Sequence, residues 1–102
     1  MNITNLKLKD ALLIEPEIYS DSRGCFLESY NKKKFSKIVG KEIIFVQDNY
    51  SQSKKNVLRG MHFQINSKAQ GKLIKVISGE IYDVIADIRR SSSTFMQWEG
   101  IK

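Results

Sequence analysis

A chain of 102 residues with 41% hydrophobic content has room for one small domain built around a single core, and this composition argues against a disordered chain. No apolar run approaches the roughly 20 residues that a bilayer span requires, which excludes a membrane helix. The net charge of +6 points to anions, but Lys32-Lys33-Lys34 and Lys54-Lys55 have no interleaved aromatics and read as solvated faces or loops rather than a nucleic-acid patch.

The opening Met1-Asn2-Ile3-Thr4-Asn5 lacks the basic patch and apolar run of a secretory leader, so the expected location is cytoplasmic. Strand signals begin at Ala11-Leu12-Leu13-Ile14, before Pro16, and continue at Gly24 to Tyr30. Cys25, the single cysteine, excludes an intrachain disulfide and any multi-cysteine metal site; it reads as a small packed residue. One short helix follows. Asn31 is a good N-cap, Phe35, Ile38 and Val39 fall on one side at helical spacing, and Gly40 is a natural stop. The lysine triplet then occupies the first turn, where it opposes the helix dipole.

Strands are predicted again at Glu42 to Asn49, at Val57 to Gln64 after a polar turn region, and at Lys72 to Ile77 and Ile81 to Arg89. The last two read as a hairpin about Ser78-Gly79. Strands at this spacing indicate a sandwich or barrel. In that hairpin Lys72 lies opposite Ile85 and shares a face with Asp83 and Asp87, while Tyr82, Val84, Ala86 and Ile88 form the core face. The carboxylate face suits a wet pocket and a solvent face equally. Arg59 and His62 have opposite parity on their strand, and a bulge at Gly60 would bring them to one side.

His62 is the only histidine, and Lys72 follows it by ten residues. A neutral imidazole can accept a proton near pH 7, while a lysine stays cationic and can stabilise an oxyanion; together they suit proton removal beside a carbonyl. Other chemistries lack their residues. One histidine and one cysteine, 37 positions apart, do not make a metal site, and neither a nucleophile elbow, a phosphate loop nor a dinucleotide fingerprint occurs. A lone histidine is nevertheless more often structural than catalytic.

Five ordered blocks bear on that choice: Asp21-Ser22-Arg23-Gly24-x-Phe26-x-Glu28; Phe45-Val46-Gln47-Asp48-Asn49-x-Ser51; Leu58-Arg59-Gly60-Met61-His62-Phe63-Gln64; Gln70-Gly71-Lys72-Leu73; and Asp83-Val84-x-x-Asp87-Ile88-Arg89 with Ser93-Thr94-Phe95 and Trp98. In these blocks the chain resembles the dTDP-4-dehydrorhamnose 3,5-epimerases, over nearly its whole length but over only the N-terminal portion of a family member. The resemblance implies an all-β, cupin-like jelly-roll barrel, a single domain over residues 1–102, incomplete at its C-terminus, with one short helix near residues 31–39. It implies epimerisation of a dTDP-linked 4-keto sugar at the carbons flanking the ketone, in dTDP-rhamnose biosynthesis. His62 would be the proton acceptor and Lys72 the enolate stabiliser. Arg59, Gln47, Asp48, Asn49, Arg23 and Glu28 would bind substrate, the last two partly across a subunit boundary. No metal and no cofactor is implied, nor a nucleic-acid or membrane partner; a homodimer with strand exchange is. The tyrosine donor, a further histidine and the aspartate that orients the base belong to family segments with no counterpart in these blocks. Two alternatives stay open: an epimerase for another 4-keto sugar nucleotide, such as a GDP-heptose, and an inert sugar-nucleotide-binding fragment.

Overall fold

The computed structural model describes residues 1–102, which divide into two units: Met1–Phe45 with Tyr82–Lys102, and Val46–Ile81. All regular pairing lies in the first. β1 (Asn2–Asn5) pairs antiparallel with β2 (Leu12–Glu15), in the register Asn2 opposite Glu15 and Asn5 opposite Leu12. β3 (Ile18–Asp21) and β4 (Gly24–Leu27) form a hairpin with Asp21 opposite Gly24. Its two-residue turn is held from within, because Asp21 Oδ1 accepts the Arg23 backbone N–H at 2.8 Å while Gly24 supplies φ +132°. β5 (Asp83–Ala86) pairs antiparallel with β6 (Trp98–Ile101). The phenol of Tyr82 lies where a Cβ on Gly100 would stand, so a larger residue there would have to displace that ring.

The helix α1 (Lys32–Val39) forms where its signals place it. Asn31 Oδ1 accepts the Lys34 N–H at 3.1 Å, and Gly40 ends the helix at φ +74°. The mismatch between the lysine triplet and the dipole is offset by acids, since Lys32 pairs with Glu42 and Lys34 Nζ lies 2.7 Å from Glu28 Oε1. Phe35 turns inward against Tyr30 and Phe45, with ring centroids 5.7 and 5.4 Å away.

The deepest positions of this unit are Leu8, 3% exposed, and Asp87, 5% exposed. Leu8 is closed in by the last residues of the chain: Glu99 Oε2 accepts the Lys7 N–H at 2.8 Å, and Thr94 Oγ1 accepts the Lys9 N–H at 3.1 Å.

Strands with one helix were expected and are found, as three two-stranded ladders that do not close into a barrel. Individual strands depart from expectation. Asn2–Asn5, Ile18–Asp21 and Trp98–Ile101 pair although their sequences give little signal, whereas 42–49, 57–64 and 72–77 join no ladder. The hairpin about Ser78-Gly79 is therefore corrected: β5 takes β6 as its partner, and the register of Lys72 with Ile85 does not form. Tyr82 and Ile88 are exposed and Val84 only half-buried, so that face is not the core. Cys25, on the open β3–β4 hairpin, is exposed rather than packed. Without a ladder at 57–64 there is no bulge at Gly60, although that glycine does take a positive φ.

Candidate functional site

The second unit, Val46–Ile81, carries the residues proposed for chemistry. Apart from one 3₁₀ turn at Asn66–Lys68, it forms neither helix nor strand ladder. Gly60 has φ +100°, and the imidazole of His62 folds back over it: a Cβ added at Gly60 would meet His62 Nδ1 at 3.2 Å. Small size at position 60 thus lets the ring lie against the backbone. His62 and Lys72 are both exposed within this unit, and no hydrogen bond or ion pair joins them.

Arg59 is tied down by its neighbours, its Nε donating to Ser53 Oγ at 2.9 Å and its Nη2 to the Gln52 carbonyl at 3.3 Å. These bonds aim the guanidinium at its own preceding loop. Gln47 Nε2 donates to Asn49 Oδ1 at 3.0 Å, so these two side chains lie side by side. The two amides are therefore brought together as a polar pair. Asp48 is exposed.

Arg23 and Glu28 belong to the first unit. Arg23 Nη2 lies 2.6 Å from Asp21 Oδ2 across the β3–β4 turn, and this hydrogen-bonded pair holds the Asp21 carboxyl below its ordinary range. Tyr19, Asp21, Arg23 and Phe26 help line an open depression of about 390 Å³ on that hairpin. Glu28 accepts from Lys34 and, at 3.2 Å, from Asn31 Nδ2, which lower its carboxyl below the usual range in that order. In this arrangement Glu28 ties the end of β4 to the start of α1.

Sequence reasoning missed the most highly bonded group in the chain. Asp87 accepts from Arg89 Nε at 2.9 Å, from Ser92 Oγ at 2.6 Å and from Thr94 Oγ1 at 2.7 Å. The Arg89 guanidinium first, then the two hydroxyls, hold its carboxyl well below the usual carboxylate range. Arg89 continues to Asp10 Oδ2 at 2.8 Å and to the Lys9 carbonyl at 2.8 Å. The acceptor capacity of Asp87 is therefore used within this clasp, and Asp87 is buried rather than on a solvent face. The signal available in sequence was Asp87-x-Arg89 followed by Ser92 and Thr94, which is short-range, whereas its tie to residues 9 and 10 is not.

Short antiparallel ladders, one capped helix and a basic segment bearing the histidine define a strand-rich protein, and the solved structures it resembles make it a cupin-like one. The family is more specific: residues 5–102 match dTDP-4-dehydrorhamnose 3,5-epimerase. A relative of that name from Salmonella typhimurium is 50% identical over 101 residues, which cover 99% of this chain and 55% of that protein. The crystal structure of the enzyme of that name from Elizabethkingia anophelis superposes with a TM-score of 0.92 at 44% identity, covering 99% of this chain and 55% of the other. That of a dTDP-6-deoxy-D-glucose-3,5-epimerase from Legionella pneumophila, in complex with dTDP-4-keto-L-rhamnose, gives 0.90 at 48% identity, covering 98% and 53%. The chain belongs to the dTDP-4-dehydrorhamnose 3,5-epimerase family, and it spans about half the length of the curated relatives it matches.

Proposed function

We propose that this chain carries the deprotonating half of a nucleotide-sugar 3,5-epimerase, as part of one domain, acting on a dTDP-linked 4-keto sugar in the cytoplasm. The observation that carries the reading is the 50% identity to a named epimerase across 99% of the chain, which includes the blocks holding His62 and Lys72. A nitrogen of His62 takes the proton from a carbon beside the ketone. The C–H electron pair becomes the enolate double bond, and the charge that moves to the keto oxygen is met by the Lys72 ammonium. Arg59, Gln47, Asp48 and Asn49, together with Arg23 and Glu28, hold the sugar nucleotide. Both cations also suit its diphosphate. Inversion needs a second donor on the opposite face; returning the proton from His62 itself exchanges it with retention. The assembly that fits the family reading is a homodimer, without nucleic-acid or membrane partners, and no helix here is long and apolar enough to cross a membrane.

The test is deuterium uptake from heavy water into a dTDP-linked 4-keto-6-deoxy sugar, followed by mass spectrometry and NMR at the carbons flanking the ketone. Label at those carbons is expected, falling by about 10²- to 10⁴-fold in His62→Ala and by at least tenfold in Lys72→Met. Uptake equal in wild type and His62→Ala would end the assignment. The exposure of His62, with no partner fixing its tautomer, favours a second reading: an inert sugar-nucleotide binder. That reading predicts saturable binding of dTDP with no label above the His62→Ala background.

A further inference from the structure

We propose that Lys34 is a positioning residue for substrate recognition: its ammonium, together with the Asn31 amide, fixes the Glu28 carboxylate so that Oε2 accepts a hydrogen bond from the sugar nucleotide. The inference rests on the reading that Glu28 touches that ligand, and it adds a residue that lies in none of the five sequence blocks.

The two oxygens of Glu28 have different surroundings. Oε1 lies 2.7 Å from Lys34 Nζ and is cut off from solvent. Oε2 accepts from Asn31 Nδ2 at 3.2 Å, and the side chain as a whole stays 41% exposed. An ionised carboxylate has about four lone-pair sites, so Oε2 keeps one for a ligand. Lys34 first, then Asn31, holds the Glu28 carboxyl below its ordinary range, and an ionised carboxylate accepts without donating. Such a group selects an N–H or an O–H. On a dTDP-linked sugar these are the imide N–H of the base and the sugar hydroxyls.

The helix puts Lys34 in place. Asn31 Oδ1 accepts the Lys34 backbone N–H at 3.1 Å while its Nδ2 holds Glu28, so one side chain sets both the helix start and the carboxylate. The three lysines of the first turn then differ: Lys32 pairs with Glu42, Lys34 pairs with Glu28, and the exposed Lys33 belongs to neither pair. The charge of Lys34 is supported chiefly by Glu28, and Tyr19 and Glu17 add to it from the start of the β3–β4 hairpin. An ion pair with side chains 61% and 41% exposed contributes little to stability. Its larger effect is on orientation, because a carboxylate already held in place gives up less side-chain freedom when a ligand binds.

The test is a double-mutant cycle on affinity, read by titration calorimetry of the 102-residue chain with dTDP and with a dTDP-linked 4-keto-6-deoxy sugar. Glu28→Gln should weaken binding by about tenfold or more, for both ligands if the donor is on the base and only for the sugar-linked one if it is a sugar hydroxyl. Lys34→Met should weaken the same binding by about three- to fivefold, and Lys34→Arg by less than about twofold. The double variant should bind no more weakly than Glu28→Gln alone. Lys33→Met removes the same charge from the same turn and should stay within about twofold of wild type. The urea midpoint of Lys34→Met should match wild type; a loss of affinity that tracks a lowered midpoint would mark a purely structural tie and overturn the proposal. Additive losses in the double variant would overturn it too, by showing that Lys34 meets the ligand itself. Wild-type affinity in Lys34→Met beside a weakened Glu28→Gln would overturn it while the binding role of Glu28 stands. Wild-type affinity in Glu28→Gln, or no saturable binding by the wild-type chain, removes that role and the proposal with it.

Discussion

Gly60 joins backbone conformation to chemistry within a single residue. At φ +100° an L side chain is strained by about 1–3 kcal/mol, and a methyl there would press on the His62 ring, 3.2 Å from its Nδ1. Gly60→Ala should therefore displace the imidazole and lower deuterium uptake by about tenfold or more, leaving the circular dichroism of α1 unaltered. Uptake at the wild-type rate would show that ring placement does not depend on this contact. His62 and Lys72 were legible as a base and a cation because residue type alone conveys proton affinity and charge. Their geometry was not, because the segment expected to carry His62 as a strand joins no ladder.

At the scale of elements, α1 was legible to within a residue. Its determinants are local: the Asn31 cap, the stripe of Phe35, Ile38 and Val39, and the left-handed Gly40. Asn31→Ala removes both the cap and the bond from Asn31 Nδ2 to Glu28, and should cost about 1 kcal/mol or somewhat more of stability, read from urea denaturation. Asn31→Asp keeps the cap oxygen but sets a second negative charge beside Glu28, so it should fall between wild type and Asn31→Ala. An alanine variant as stable as wild type would show that packing of Phe35 alone holds the helix. Strands were less legible because a strand is defined by its partner. The apolar, β-branched run in Lys72–Ile77 was clear yet unused, whereas Asn2–Asn5 has little signal and pairs fully with β2.

At the scale of the whole chain, acid sensitivity follows from the Asp87 clasp. A carboxyl whose folded value lies below its unfolded one contributes stability above about pH 4, and that contribution is lost as pH falls through the folded value. Asp10 shifts in the same direction, chiefly through its hydrogen bond to Arg89. The urea midpoint should fall between about pH 6 and pH 3, whereas Asp87→Asn should start lower and vary less. A variant profile as steep as that of wild type would place the acid sensitivity elsewhere. The clasp itself escaped sequence reasoning because Arg89 reaches Asp10 over a separation of 79 residues, and no periodicity reports such a contact.

That separation also sets an order of events during synthesis. The loop from Lys7 to Ala11 is made early, but the atoms that close it, on Arg89, Thr94 and Glu99, are made 79 to 92 residues later. At ribosomal rates the β1–β2 ladder waits roughly 4–18 s for its clasp, long enough for local helix and hairpin formation and far longer than either needs. Contacts of such long sequence separation are closed late, after the local ones. A nascent chain halted before Asp87 would hold a capped helix and a hairpin, with Leu8 still open to solvent.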